Sequence, residues 1–393
     1  MSRLAARASR IGLSPTMQVT AAVDRLKRSG VEVFDFGAGE PDFATPEAVS
    51  AAGRQAIDAH FSKYTPVGGV AELKAAICAR YQDDYGVSFG EAEVIASAGG
   101  KQALFNTALT LFGPGDEVII HAPCWPTLIE QVRLAEATPV VVQTAPDDGF
   151  ALRASTFIDA ITPRTRGIIL NSPCNPTGAV MADDEATRLA REAARRGIWL
   201  VVDLCYEKLV YADGGFNLPR ILDRECRERT ILCGSASKAY AMTGWRCGWS
   251  LGPKDAIAAQ HALQSHATSN VSSITQRAVI EALRGSQAPV EAMRDEYRQR
   301  RDSLVEWLSA DARLHTAMPA GAFYLFPDVR AWLAAGGFAS TLELAKALLE
   351  RARVAVTPGE AFEAPGFVRL SYATSLHILR EGSQRMLGFA SSF

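Results

Sequence analysis

Lys238 closes the run Gly234-Ser-Ala-Ser-Lys238, and Arg246 follows it eight positions on, between Trp245 and Trp249. Small hydroxyl residues, then a lysine, then an arginine between aromatics form a set that can handle an anion and a carbonyl together. A lysine amine that is partly desolvated beside other cations gives up its proton readily and can form a Schiff base. Arg246, with the Ser235 and Ser237 hydroxyls, can hold a phosphate by charge-assisted hydrogen bonds. The competing explanation, a solvated surface loop, gives no reason for two tryptophans around an arginine.

Other residues are weaker candidates taken singly. Asp203 ends the apolar run Ile198-Trp-Leu-Val-Val-Asp203, ahead of Leu204-Cys205-Tyr206. A carboxylate at the end of such a strand is costly to bury unless it is paired. Ala98-Gly99-Gly100-Lys101-Gln102 opens an apolar-periodic stretch (Leu104, Ala108, Leu111), and glycines at a helix N-terminus let backbone N–H groups approach an anion. Trp125 in Ala122-Pro-Cys-Trp125-Pro126 reads first as core packing. Asn175 in Asn171-Ser-Pro-Cys-Asn175-Pro-Thr-Gly178 reads as turn chemistry. Arg369 in Val368-Arg-Leu-Ser371 would pass for a surface charge.

The elements that must position these residues follow from hydrophobic pattern. Seven short apolar runs predict strands at Glu93–Ser97, Glu117–His121, Pro139–Gln143, Gly167–Asn171, Ile198–Asp203, Thr230–Gly234 and Cys247–Leu251. Between many of them lie stretches of helical spacing such as Asp183–Arg196. Strands apolar on both faces and separated by helices imply a mostly parallel seven-stranded sheet in an α/β domain. After about residue 285 the texture changes. A long amphipathic helix is expected at Ala288–Leu308, with Met293, Tyr297, Leu304 and Leu308 on one face. The segment Gly321–Phe326, a helix around Leu342–Arg351, strands near Val354–Thr357 and Phe367–Tyr372 and a last helix from Ser375 complete a smaller α+β domain. The expected division is 1–45 as an N-terminal arm joining the small domain, 46–285 as the large domain and 286–393 as the small one.

The stretch from Ser235 to Gly248 resembles the cofactor-lysine signature SxSKxxAMTGWRxG of the bacterial branch of class I aminotransferases, pyridoxal-phosphate enzymes of the aspartate aminotransferase fold. The resemblance runs in order from Phe36-Gly-Ala-Gly39-Glu-Pro-Asp-Phe43 to Phe367-Val-Arg369-Leu-Ser-Tyr-Ala-Thr374, almost the whole chain. It implies the fold type I arrangement, pyridoxal 5'-phosphate held on Lys238 as a Schiff base, L-amino acid and 2-oxo acid substrates, and ping-pong kinetics. It further implies that Gly100, Lys101, Ser235, Ser237 and Arg246 surround the cofactor phosphate, and that Trp125 stacks on its ring. Asp203 would pair with the ring nitrogen, while Asn175 and Tyr206 would meet its 3'-oxygen. Arg369 would grip the substrate carboxylate, with Asn175 and Gly39 beside it. Lys238, once freed, would be the general base. Tyr64, in Lys63-Tyr-Thr-Pro-Val-Gly-Gly69, would reach the cofactor of a neighbouring subunit, making the active unit a homodimer with shared sites. Lys101 and His266 are the candidates for contacting the substrate side chain, so aspartate or glutamate is one expected donor, with aromatic, kynurenine-type or broad ranges left open. Two departures stand out: Cys124 where the family has Tyr in PYW, and Asp203-Leu-Cys-Tyr-Glu where it has DEIYE. They keep open a lyase, cyclase or oxidase outcome on the same scaffold. Cys124, Cys174 and Cys205 all fall beside cofactor motifs and are expected in the pocket wall.

Composition bounds the rest. The 393 residues carry 41 Lys+Arg against 43 Asp+Glu, a net charge of −2, and 48% are hydrophobic. That balance argues against nucleic-acid binding and against low-complexity disorder. Seven cysteines without a CxxC pair fit reduced thiols in a cytoplasmic protein, and six histidines without HExxH argue against a zinc site. No apolar run approaches the roughly 20 residues of a membrane span. Arg3, Arg7 and Arg10 precede the first acid, Asp24, which fits either an N-terminal arm or an organelle presequence. A ligand-sensing regulator on the same domain would need a DNA-binding module, for which the chain shows no basic segment. A nicotinamide dehydrogenase would need a GxGxxG after a strand, which is missing.

Overall fold

In the computed structural model, residues 12, 15–211 and 215–393 are described. The basic run around Arg3, Arg7 and Arg10 lies outside them; from Pro15 the arm is a helix, Pro15–Arg28. Twelve strands follow in chain order: β1 (Phe34–Asp35), β2 (Val94–Ser97), β3 (Glu117–Ala122), β4 (Thr138–Gln143), β5 (Thr165–Asn171), β6 (Trp199–Asp203), β7 (Thr230–Ser235), β8 (Gly248–Leu251), β9 (Tyr324–Leu325), β10 (Val354–Ala355), β11 (Thr357–Pro358) and β12 (Val368–Ser371).

Seven of them make one sheet in the order β2-β8-β7-β6-β5-β3-β4. Only β8 runs against its neighbours; all other pairings are parallel. The strands are buried on both faces because side chains alternate between two cores. Ile119, Ile168, Leu200 and Leu232 belong to one core, and Ile120, Ile169, Val201 and Ile231 to the other. Helices cover both faces. One of them, Asp183–Arg196, shows how sequence sets its ends: Asp183, Asp184 and Glu185 occupy the first turn, Arg195 and Arg196 the last, and Gly197 closes it at φ 66°. That charge order complements the helix dipole, and glycine is the residue that takes the left-handed C-terminal position without steric penalty.

The C-terminal ends of β2, β3, β5, β6 and β7 share one edge of the sheet, where open α/β sheets bind ligands. The register there is set by two rungs. Asn171 pairs with Asp203, and Asp203 with Cys233. Ser235 and Ser97 both pair with Gly248.

A separate core gathers the last third of the chain. Helix Ala288–Leu308 buries Met293, Tyr297, Leu304 and Leu308 as its spacing requires, and also Arg300. The arm is tied into this core. Phe34 pairs with Val354 in parallel, Phe34 and Phe36 are buried there, and Arg300 Nη1 donates to Asp42 Oδ1 at 2.8 Å. Tyr206 and Leu209, just past β6, also enter this core, so the chain after Asp203 bridges the two lobes. The expected strand Val354–Thr357 is in fact two: β10 pairs with β1, whereas β11 pairs with β12 in a three-stranded antiparallel sheet with β9. The expected helix around Leu342–Arg351 runs from Thr341 to Ala347 and then loosens into a π-helical turn, Leu348–Ala352.

Candidate active site

A cavity of about 620 Å³ opens at the C-terminal edge of the large sheet and is roofed by the second lobe. Lys238 reaches it from the short helix Ala236–Ala239, whose first turn is capped by Ser235: Oγ accepts the Ser237 N–H at 3.1 Å. The Ser235 and Ser237 hydroxyls lie 2.9 Å apart. Lys238 Nζ donates to the Gly39 carbonyl at 2.8 Å. Burial, with Arg246 and Arg369 nearby, holds its amine below the usual lysine range, partly countered by Cys205 and Glu40. An amine so placed is easier to obtain neutral and nucleophilic.

The helix Gly100–Leu111 points its N-terminus into the same space. Gly99 caps it at φ 92°, and a Cβ there would run into the Arg246 guanidinium; a Cβ on Gly248 would overlap the Gly99–Gly100 backbone. Two glycines therefore allow β8, Arg246 and the helix start to close on one another. Lys101 lies over the Trp125 ring, 4.8 Å from its centroid, and its pKa is lowered by burial and then by Arg246.

Asp203 faces the cavity from the end of β6. It is buried, with Oδ1 accepting the Cys205 N–H at 3.0 Å. No cation forms an ion pair with it among the described residues. Burial pushes its carboxyl up to about 6, against the Cys205 hydrogen bond and Lys238, which pull it down. Tyr206 shares a 2.9 Å hydrogen bond with the Tyr324 hydroxyl, and burial together with Tyr324 keeps its phenol protonated. Tyr324 in turn lies under Arg369, 4.4 Å from the ring centroid to Cζ. Arg369 donates from Nη1 to Asn175 Oδ1 at 3.0 Å and from Nη2 to the Gly37 carbonyl at 3.0 Å; its Nε has no partner among the described residues. Among the described residues, no carboxylate pairs with Arg369 or with Lys101.

All but two of the residues given a catalytic or binding role from sequence line this cavity. The exceptions are Tyr64, which is 90% exposed, and His266, which is exposed on the helix Lys254–Ala267. Of the three cysteines expected in the wall only Cys205 lines it; Cys124 and Cys174 are turned fully into the core, and burial pushes both thiols up. Four residues that the sequence did not advertise are also there. Tyr324 supports Arg369, Glu40 accepts from the Thr243 hydroxyl at 2.8 Å, and Lys27 pairs with Asp35 at the rim at 3.1 Å. Their only signal was proximity to Gly39 or to the alternation in Phe323-Tyr-Leu-Phe326.

The donor set fits pyridoxal 5'-phosphate. A buried carboxylate without a cation suits a protonated ring nitrogen, an amine of lowered pKa suits the carbonyl, and a glycine-walled helix start beside Ser235, Ser237 and Arg246 suits the phosphate. No three His, Cys, Asp or Glu side chains converge as metal ligands among the described residues.

Comparison with known proteins agrees with this chemistry. The family profile Aminotransferase class I and II matches residues 31–381. The aspartate aminotransferase of Streptomyces avermitilis is 41% identical over 389 residues, covering 98% of this chain and 95% of that protein. The aspartate/prephenate aminotransferase of Cereibacter sphaeroides is 41% identical over 397 residues, covering 100% and 99%. Among solved structures, the Thermus thermophilus aspartate aminotransferase with maleate matches at a TM-score of 0.93 and 41% identity, covering 100% of both chains.

Proposed function

Since the chain belongs to the class I and II aminotransferase family, and so works with pyridoxal 5'-phosphate, we propose that it moves the amino group of a dicarboxylic L-amino acid, aspartate or glutamate, to a 2-oxo acid. The observation that carries the substrate class is the pair of cations, Lys101 and Arg369, that line one cavity with no carboxylate partner among the described residues. One fits the α-carboxylate and the other a distal one. Relatives carry the names aspartate and aspartate/prephenate aminotransferase, and prephenate is a dicarboxylate as well.

When bound, the cofactor supplies an electron-withdrawing ring that stabilises negative charge at the substrate Cα. The chain does the rest. Gly100, Ser235, Ser237 and Arg246 would hold the phosphate, leaving Lys101 for the distal carboxylate, while Trp125 would cover the ring and Asp203 would balance the charge on its nitrogen. Tyr206 and Asn175 donate hydrogen bonds to the ring oxygen. Arg369 takes the α-carboxylate in the bidentate manner its fork allows, with Gly39 over the bound amino acid. Lys238 Nζ then takes the proton from Cα and returns one, a general-base role that the lowered lysine pKa favours. The two half-reactions use one site in turn, so the first product leaves before the second substrate enters.

In this reading 46–285 carry the cofactor, while 1–45 and 286–393 form the lobe that brings Arg369. A homodimer with shared sites is part of the same proposal. Tyr64 and Ile57, 90% and 56% exposed, and a second hollow of about 730 Å³ on the far side of Arg246 support a docking face there, and His266 would act only across it. Sedimentation velocity should show twice the chain mass. A cytoplasmic setting fits seven free cysteines; no helix of the described residues is long and apolar enough to cross a membrane.

The lysine assignment has a direct test. Lys238→Ala should leave the fold intact but lose the visible absorbance of the cofactor bound covalently to the protein and slow Cα deprotonation by about 10²–10⁴. Retained absorbance would remove Lys238 from the attachment role.

A further inference from the structure

His121 sits in the apolar strand β3, fully buried, between Ile120 and Ala122. An imidazole in such a place is expensive unless its polar atoms are used. Its Nε2 accepts the backbone N–H of Asn171 at 3.2 Å, which places the ring proton on Nδ1. Nδ1 has no hydrogen-bond partner among the described residues; the ring rests edge-on against Phe157, with centroids 6.1 Å apart. The ladder between β3 and β5 has its last rung at Ile120 and Ile169. The imidazole thus supplies to Asn171 an acceptor beyond the end of that ladder.

Asn171 is a hub. Its Oδ1 accepts the Asn175 N–H at 2.8 Å, and its Nδ2 donates to the Asp203 carbonyl at 3.4 Å. Asn175 Oδ1 in turn accepts from Arg369 Nη1 at 3.0 Å. Three hydrogen bonds therefore connect a buried imidazole to the guanidinium, crossing from the large sheet to the second lobe.

We propose that His121 is a positioning residue for substrate carboxylate binding: its Nε2 lone pair fixes Asn171, which sets Asn175 and through it the plane of Arg369. This rests on the reading of Arg369 as the carboxylate grip. Burial lowers the imidazole to about 4, against the Pro123 and Asn171 backbone, which pull it up, so it stays neutral and able to accept across ordinary working pH. A leucine would fill the volume without the acceptor, whereas a glutamine can bring an amide oxygen to the Nε2 position.

The test compares wild-type holoenzyme with His121→Leu, His121→Gln and Arg369→Lys, using maleate as a carboxylate probe and reading its Kd by calorimetry, together with KM, kcat and cofactor content. His121→Leu should weaken maleate roughly tenfold and raise KM by about as much, with kcat within about twofold, because the carboxylate is held alike in ground and transition states. His121→Gln should recover to within about threefold. Wild-type maleate affinity in His121→Leu, or equal loss in both His121 variants, overturns the proposal. Wild-type affinity in Arg369→Lys overturns the carboxylate reading and the proposal with it, whereas loss there beside unchanged His121→Leu overturns the proposal alone. Should His121→Leu not fold, ¹⁵N-histidine spectra of the wild type decide. A neutral Nδ1–H tautomer for His121 from pH 6 to 8 supports the relay, and a cation or an Nε2–H tautomer overturns it.

Discussion

Arg369 Nη1 donates to Asn175 Oδ1 over 3.0 Å, and the two residues come from different lobes. One carboxylate bound here would hold both lobes together. Arg369→Lys keeps the charge and loses the fork, so kcat/KM for every amino donor should fall by about 100-fold or more, mostly in KM. Steady-state kinetics with two unrelated donors checks it; a loss confined to one donor contradicts an α-carboxylate role.

Asp203 should affect stability and activity in opposite directions. Its carboxyl titrates near 6 in the fold against an ordinary value of 3.8. Because the native pKa is the higher one, ionisation opposes folding. The cost is absent below about pH 4, grows between 4 and 6, and is fully present above, at about 3 kcal/mol. Asp203→Asn in cofactor-free protein should therefore melt higher than wild type at pH 8 and equal to it near pH 4. The same variant loaded with cofactor should lose about 10³ in kcat or more, since the ring nitrogen is no longer balanced by a charge. Thermal melts at the two pH values and single-turnover kinetics check both halves.

Lys101 should discriminate among donors. Its ammonium lies over Trp125 and is partly desolvated, so a distal carboxylate gains from it. Lys101→Ala should lower kcat/KM for aspartate about 10- to 100-fold more than for alanine. Equal losses for both donors would assign Lys101 to the cofactor phosphate alone.

What the sequence made legible was what lies contiguous in it. The run from Ser235 to Arg246 carries its lysine, hydroxyls and arginine within one short passage from β7 through a helical turn to β8, so spacing alone pointed to anion and carbonyl chemistry. The large sheet was legible because buried parallel strands are continuous apolar runs, and each expected strand lies within two residues of its observed ends. The small lobe was less so. β9, β10 and β11 have two residues each, too few for a period of two to register, and Val354–Thr357 changes sheets midway. Tyr324 and His121 were invisible for another reason. Each is a polar group on an apolar strand whose partner, Tyr206 or Asn171, is brought to it only by the fold. Cys124 and Cys174 were misplaced because adjacency to a motif does not fix which way a side chain turns.

The central claim is that one site passes an amino group from an acidic L-amino acid to a 2-oxo acid, and single-turnover mixing of the holoenzyme with a panel of L-amino acids tests it most directly. Aspartate or glutamate should react fastest, giving the aminated cofactor and one equivalent of the matching 2-oxo acid, and a second 2-oxo acid should restore the starting spectrum. Release of ammonia or a cyclised product, with no aminated cofactor from any donor, would contradict it.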